Sequence, residues 1–355
     1  MIWRWHQVIA FSREPLAMST GEESRNRALT WPGVTGSALR GALAAESLRS
    51  RGLLRRGGPP APVTDPEFHL VFESGAVRFP FLWLTRPVPL SRLCCKRDHE
   101  HPRVDHLRTP DAANRCAVCG GVLEADRPEP RRASRHVRTR TAVAAGGTAA
   151  RGMLYSQEEL AENLRFEPGY VRVRDDAAEA FERWVGSGSQ HDLAVGADRS
   201  TGGLLDVVIG GPESRPSPTL DERLAAWPDN VLTVTALSPL VLADGWLRPL
   251  SQFGHDEVAR LLLPDRPPTD EMQITHQVVR TRRTGGWHAA AGLPKPVELM
   301  LVEGSAARLE LDPGLRASLR DRLAELEAAG IGFRRPEGFG DVVFCDPSHL
   351  AETAS

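Results

Sequence analysis

The chain has 355 residues, room for two domains at roughly 150 residues each, and 25% charged with 41% hydrophobic residues is a globular composition. Its 44 basic and 46 acidic residues leave a net charge of −2, which excludes a protein that coats nucleic acid over its whole surface but leaves room for a local site. No stretch has the length of a membrane span, and Arg4 and His6 break up the opening apolar residues, so no secretory leader is expected. A cytoplasmic location without membrane contact follows. All basic residues except Lys96 and Lys295 are arginines.

The first predicted element is an apolar strand, V-I-A-F-S-R-E-P-L-A-M-S-T-G from Val8 to Gly21. Next, W-P-G-V-T-G-S-A-L-R-G-A-L-A-A-E from Trp31 to Glu46 reads as a loop entering a helix that Thr35 or Ser37 caps. Free amides at a helix N-terminus suit an anion, and Arg40 lies one turn inside. An ordinary capped helix, close-packed at Gly36 and Gly41, is the plain alternative. Arg55 to Pro66 is a Pro/Gly loop.

Four of the five cysteines follow in a cluster, Cys94, Cys95, Cys116 and Cys119, with Cys345 alone near the end. In a reducing compartment this spacing suggests a metal before disulfides. Cys116 and Cys119 form a C-x-x-C knuckle followed by two glycines. Cys94 and Cys95 are adjacent, so their side chains diverge and both do not reach one ion comfortably. The favoured ligands of a structural zinc are Cys95, His101, Cys116 and Cys119, with His99, His106 and Cys94 as alternates. Free thiols in a loop are the other reading.

The run from Pro130 to Gln157 contains no acid but carries Arg135, His136, Arg138, Thr139 and Arg140. It reads as an exposed hairpin whose arginine forks suit phosphate. His136 has no second histidine or tyrosine at a pairing distance, which favours binding over acid–base chemistry.

A short helix over Asp175–Val185 precedes V-G-A-D-R-S-T-G-G-L-L-D-V-V, from Val195 to Val208. Gly210 to Pro218 reads as a linker. Then the pattern returns. L-T-V-T-A-L-S-P-L-V-L-A-D-G, Leu232 to Gly245, repeats the first strand and its P-L-x-apolar-x-x-G ending. Met272 to Val297 is another acid-free window, with Arg282, Arg283 and a Trp287 able to stack a base. A helix over Pro313–Ala329 places Leu315, Leu319, Leu323 and Leu326 on one face. It leads into I-G-F-R-R-P-E-G-F-G-D-V-V, Ile331 to Val343. Two matches in the same order, each with like internal spacing, indicate a duplication. The first half is longer by about the size of the stretch from Pro87 to Arg151. The segment Gly330–Gly340 combines four glycines with Arg334 and Arg335. It precedes a strand and lacks G-K-[ST], so it is neither a dinucleotide fingerprint nor a P-loop.

Together, P-G-V-T-G-S-A-L-R-G-A-L-A and the terminal G-I-G-F-R-R-P-E-G-F-G-D-V-V-F resemble the RAMP superfamily of CRISPR-associated proteins. The cysteine segment, H-V-R-T-R-T-A-V, T-A-A-R-G-M-L-Y-S-Q-E-E-L and G-W-H with G-L-P-K-P resemble the subtype III-D RAMP subunit, likened to a cap on the guide RNA 5′ end. The resemblance implies an α+β fold of two ferredoxin-like (RRM-like) domains. The first spans 1–210 and carries a zinc-binding, arginine-rich insertion at 87–151; the second spans 229–350 after a linker at 211–228. It implies a noncatalytic subunit bound to CRISPR RNA, RAMP backbone subunits and a large subunit, meeting target RNA only indirectly. The implied RNA contacts are Thr35, Gly36, Ser37 and Arg40, the segment from His136 to Arg140, and Gly332, Arg334, Arg335, Gly338 and Gly340; Arg135, Arg282 and Arg283 join them from the basic windows. Asp198 in the first glycine turn departs from an RNA-facing charge. The rival readings are a metal-independent ribonuclease using His136 and a target-cleaving subunit using Asp65.

Overall fold

In a computed structural model, residues 2–24, 27–54, 63–126, 135–143, 149–197, 202–213, 218–266, 270–288 and 292–350 are described. Strand β1 (Trp3–Ser12) alternates, turning His6, Val8, Ala10 and Ser12 inward. The first half continues with α1 (Gly36–Ser50), β2 (Val77–Arg78), β3 (Gly169–Arg174), α2 (Ala178–Trp184) and β4 (Leu204–Glu213). Its antiparallel sheet runs β4-β1-β3-β2, with Ser189–Ala194 added outside β4. The second half holds β5 (Val231–Ala236), α3 (His255–Leu262), β6 (Met272–Val278), β7 (Ala306–Leu311), α4 (Arg320–Ala329) and β8 (Val342–Phe344). Its sheet runs β8-β5-β7-β6, again antiparallel. Each half therefore has the βαββαβ connectivity and strand order of a ferredoxin-like fold, and the chain is α+β.

The sequence repeat coincides with this repeat at the level of single hydrogen bonds. In the first half Gly203 N donates to Pro15 O at 3.0 Å, Ala197 N to Ala17 O at 2.9 Å and Val195 N to Gly203 O at 2.8 Å. In the second, Gly340 N donates to Pro239 O at 3.0 Å, Phe333 N to Val241 O at 2.9 Å and Ile331 N to Gly340 O at 2.9 Å. The turns need glycine because they lie flat on backbone. A Cβ at Gly196 would stand 2.5 Å from Ala17 O, one at Gly332 would stand 2.4 Å from Val241 O, and both residues have positive φ. Gly332 and Gly340, expected to face a ligand, are thus occupied by their own domain.

Two apolar cores fill the halves. Phe79, Phe166, Phe181, Leu39 and Leu43 anchor the first, and Leu232, Phe253, Leu309 and Leu323 the second. The four leucines of the last predicted helix are all buried, although the helix is broken into Leu315–Ser318 and α4. Between β2 and β3, strands Arg92–Cys95, Val104–Asp105 and Leu123–Ala125 form a small sheet. Strands Arg135–Val143 and Ala149–Leu160 form the expected hairpin, and the second also pairs with Arg27–Thr30. Among the described residues no helix is long and apolar enough to cross a membrane.

The halves are joined through a buried charge cluster. Arg78, on β2, donates to Asp341 and to the carbonyls of Ala328 and Phe339 in the second half. Arg172, on β3, reaches the same carboxylate at 2.7 and 3.1 Å. A Cβ at Gly330 would lie 2.4 Å from the Arg78 guanidinium. Removing one partner from a buried ionic cluster costs about 3–5 kcal/mol, so Arg78→Ala should lower the free energy of unfolding by that order in denaturant titrations. Gly330→Ala should be costly in the natural chain and clearly less so on top of Arg78→Ala, because the clash would be gone. Additive costs would place the strain elsewhere.

Candidate functional site

The small sheet of the insertion assembles a metal-ligating group. Cys95 ends a strand that pairs with Leu123–Ala125, and His101 follows in the next loop. Cys116 and Cys119 sit in a tight knuckle where Gly120 N donates to Cys116 O and Cys116 N to Gly121 O, both at 2.8 Å. One donor atom from each of Cys95, His101, Cys116 and Cys119 lies within 4.8 Å of all the others. Cys95 Sγ is 3.5 Å from Cys119 Sγ, and Cys116 Sγ is 3.3 Å from His101 Nδ1. His101 Nε2 faces Asp98 at 3.3 Å, the carboxylate partner that orients metal-bound imidazoles. Burial lifts the Cys95 thiol, but the amides of Asp98 and Arg97 and the His101 ring outweigh it and bring it down to about 6. The amide of Cys119 lowers the Cys116 thiol against the opposing effect of burial. Three sulfurs and one imidazole fit a soft, tetrahedral divalent ion. The group is the one expected from spacing. Of the alternates, Cys94 and His99 fall in a separate group with Glu124, and His106 in neither.

The helix N-terminus and the terminal glycine turn, far apart in sequence, meet across the domain junction. Thr35 caps α1 by accepting from Ala38 N at 3.2 Å, and its hydroxyl lies 3.2 Å from that of Ser37. A Cβ at Gly36 would stand 2.3 Å from Phe79 O and 2.5 Å from Glu337 O, and one at Gly338 would stand 3.0 Å from Gly36 Cα. Gly41, by contrast, has open space around it, so close packing explains only Gly36.

The cations expected here divide into two groups. Arg40 turns inward and donates to Phe72 O at 3.0 Å, and burial lowers its pKa. Arg334 pairs with Glu298 at 2.9 Å and Glu337 at 2.8 Å and lies over the Phe339 ring. Its charge is neutralised within the protein, so the expectation that it meets an outside anion is revised. Burial raises the Glu337 carboxyl, but Arg334 and Lys295 bring it down to about 2. Arg335 is exposed beside this cluster and forms no ion pair among the described residues. Arg282 stacks over Trp31 at 4.1 Å and faces Glu303 at 3.9 Å, while Arg283, next to it, is exposed. The Trp287 side chain and Asp198 lie outside the described residues.

On the hairpin, Arg135, His136, Arg138 and Thr139 are exposed, and the Arg140 side chain lies outside the described residues. The window is acid-free in sequence but not in space. The ladder sets His136 opposite Glu159 and Val137 opposite Glu158. His136 and Arg138 each lie 3.5 Å from Glu159, and Arg135 lies 3.8 Å from Glu158. Glu158 also pairs with Arg27 at 2.5 Å. The two acids begin immediately after the window and fold back onto it. Asp65 caps the helix Pro66–Phe72, accepting from Glu67 and Phe68 amides.

Trp31, Glu158 and Glu159 escaped the sequence reading. Period-two pairing across the hairpin is the signal able to reveal the two acids; Trp31 carried none.

No protein-family model matches this chain, and no curated protein matches it. Solved structures do. A chain of the type III-B Cmr-beta complex bound to cognate target RNA and AMPPnP is 14% identical, with TM-score 0.42 over 90% of this chain and 88% of that one. Cas6 from Thermus thermophilus is 13% identical, with TM-score 0.35 over 97% and 99%. A chain of a Csm3–Csm4 subcomplex from a type III-A CRISPR–Cas interference complex is 11% identical, with TM-score 0.37 over 87% and 94%.

Proposed function

We propose that this chain is a noncatalytic RNA-binding subunit of a type III, III-D-like CRISPR effector complex, holding the repeat-derived 5′ end of CRISPR RNA against neighbouring subunits. The observation that carries the reading is the junction where the capped N-terminus of α1 abuts the terminal glycine turn. Arg335, in the terminal turn that meets α1 there, is exposed. Backbone groups and arginine forks position a phosphate chain without reading its sequence. The hairpin adds exposed arginines whose countercharges are on the neighbouring strand.

Against a ribonuclease stands the lack, among the described residues, of a histidine or tyrosine paired with His136, whose partner is the Glu159 carboxylate at 3.5 Å. Tyr155 pairs with Arg140, well along the strand from Glu159, the residue opposite His136. The Cys95, His101, Cys116 and Cys119 group is assigned a structural zinc, because four protein ligands close the coordination shell. The metal would fasten the insertion, which has little core of its own.

Co-purification with the effector complex followed by RNA crosslinking tests the partner and the site together. Arg335→Ala should leave the unfolding temperature unchanged, weaken guide retention and reduce the salt slope by about one. Arg334→Ala should instead lower the unfolding temperature, since it removes the ion pair of Glu298 and leaves Glu337 with Lys295 alone. Equal guide retention by Arg335→Ala and the natural chain would remove the glycine turn from the RNA site. Cleavage of repeat RNA that His136→Ala abolishes would replace the noncatalytic reading with the ribonuclease. Metal analysis after dialysis should find one tightly held zinc per chain, lost together with several degrees of thermal stability in Cys119→Ser.

A further inference from the structure

The adjacent cysteines of the insertion do not share one task. Cys94 and Cys95 occupy one strand, so their side chains leave on opposite faces. Cys95 turns to the knuckle. Cys94 lies directly opposite Glu124 in the ladder, which puts both on the other face. The loop that delivers His101 to the first group also carries His99, whose Nε2 lies 3.4 Å from Glu124 Oε1. One donor atom each from Cys94, His99 and Glu124 falls within 4.8 Å of the other two. The thiol is buried, whereas the His99 and Glu124 side chains are 56% and 43% exposed.

We propose that Cys94, His99 and Glu124 form a second metal site for a zinc-class divalent ion, on the opposite face of the same strand. Thiolate, imidazole and carboxylate are the donor types that such an ion accepts, with bonds of about 2.0–2.3 Å. A modest closing of the His99 loop brings three donors spread over 4.8 Å within reach of one ion. Three protein ligands leave a fourth position, and the exposure of His99 and Glu124 opens it to solvent. The first group is closed by four protein donors; this one is open, and a water or an anionic oxygen completes it. Its ion is therefore the more exchangeable of the two. Zinc stands above most divalent first-row metals in affinity for such donors, with copper(II) above it. The site is independent of the RNA-binding reading. It shares a strand with the structural zinc but none of its ligands.

The test is a count of ions on the full-length chain. The metal-stripped protein is titrated with Zn2+ or Co2+ and the bound metal measured by elemental analysis. The natural chain should take up two equivalents. His99→Ala and Glu124→Gln change exposed residues and should each remove the second equivalent or weaken it about tenfold or more, leaving the first intact. Cys94→Ala should do the same and should also remove one thiolate-to-Co2+ charge-transfer contribution. Cys119→Ser should lose the tight ion while sparing the exchangeable one. Saturation of the natural chain at one equivalent, abolished by Cys119→Ser and unaffected by Glu124→Gln, would overturn the second site and leave the structural zinc standing. Two equivalents that persist unweakened in both His99→Ala and Glu124→Gln would also overturn it.

Discussion

A single carboxylate, Asp341, holds the two halves of the molecule in register. It accepts from Arg78 and Arg172 of the first sheet, and its own amide donates to the Ser238 hydroxyl at 2.9 Å. Two guanidiniums and one carboxylate away from water carry a large desolvation cost, which is offset only when the remaining donors are satisfied. Here the carbonyls of Ala328, Phe339 and Glu327 accept further bonds from them, while Arg172 Nε has no partner among the described residues. These carbonyls all belong to the end of α4 and the turn that follows it. Whatever fixes Arg78 and Arg172 therefore fixes the terminal glycine turn from beneath, and Gly36 then meets Gly338 above it. The residues that most resemble ligand-binding motifs owe their positions to this buried cluster.

A second fastening comes from the insertion, which belongs to the first half but docks on the second. Asp105 accepts from the buried His349 ring at 2.7 Å, and the other ring nitrogen lies 2.8 Å from the Thr235 hydroxyl on β5. Asp, His and Thr in this order resemble a nucleophile triad, yet Thr235 and His349 are both buried. The three groups tie a strand of the insertion, a strand of the second sheet and the chain's last turn together. Arg92 adds a bond to Ser348 O at 2.6 Å and Arg86 an ion pair with Asp346 at 2.9 Å. A metal that orders the insertion would therefore also steady the domain pair, which links the cysteine chemistry to the geometry of the junction.

The parts of this architecture that are legible in the sequence are those with a local signature. The P-L-x-apolar-x-x-G endings and the glycine turns match hydrogen bond for hydrogen bond, because each repeat has to solve the same close approach with the same small residues. The knuckle spacing picks out four ligands, since short chain separations leave few geometries. The fate of charge is not legible. Glu337, three residues on, is a partner of Arg334 that the motif shows, but Glu298, 36 residues away, is not. Arg282 looks like an RNA contact because Trp31, on which it stacks, belongs to the other half. Glu158 and Glu159 lie just beyond a window drawn along the chain, whereas the hairpin compares residues across it. Composition locates the cations, but only strand pairing and domain docking decide which of them keep an unneutralised charge.

That distinction bears on how a nearly neutral protein would hold RNA. If every arginine of the two acid-free windows and the terminal glycine turn met phosphate, the chain would bind tightly on its own and lose that affinity steeply with salt. Several of them are instead committed to Glu158, Glu159, Glu298, Glu303 and Glu337. On the proposed function, a small number of exposed arginines, with backbone groups at the junction, would make a site that positions a strand more than it captures one. Such a site gains most of its effective affinity from being held beside other RNA-binding subunits, where the strand is already at high local concentration. The internal ion pairs then serve selectivity as well as stability. On that reading they would keep the junction from collecting any polyanion that diffuses past.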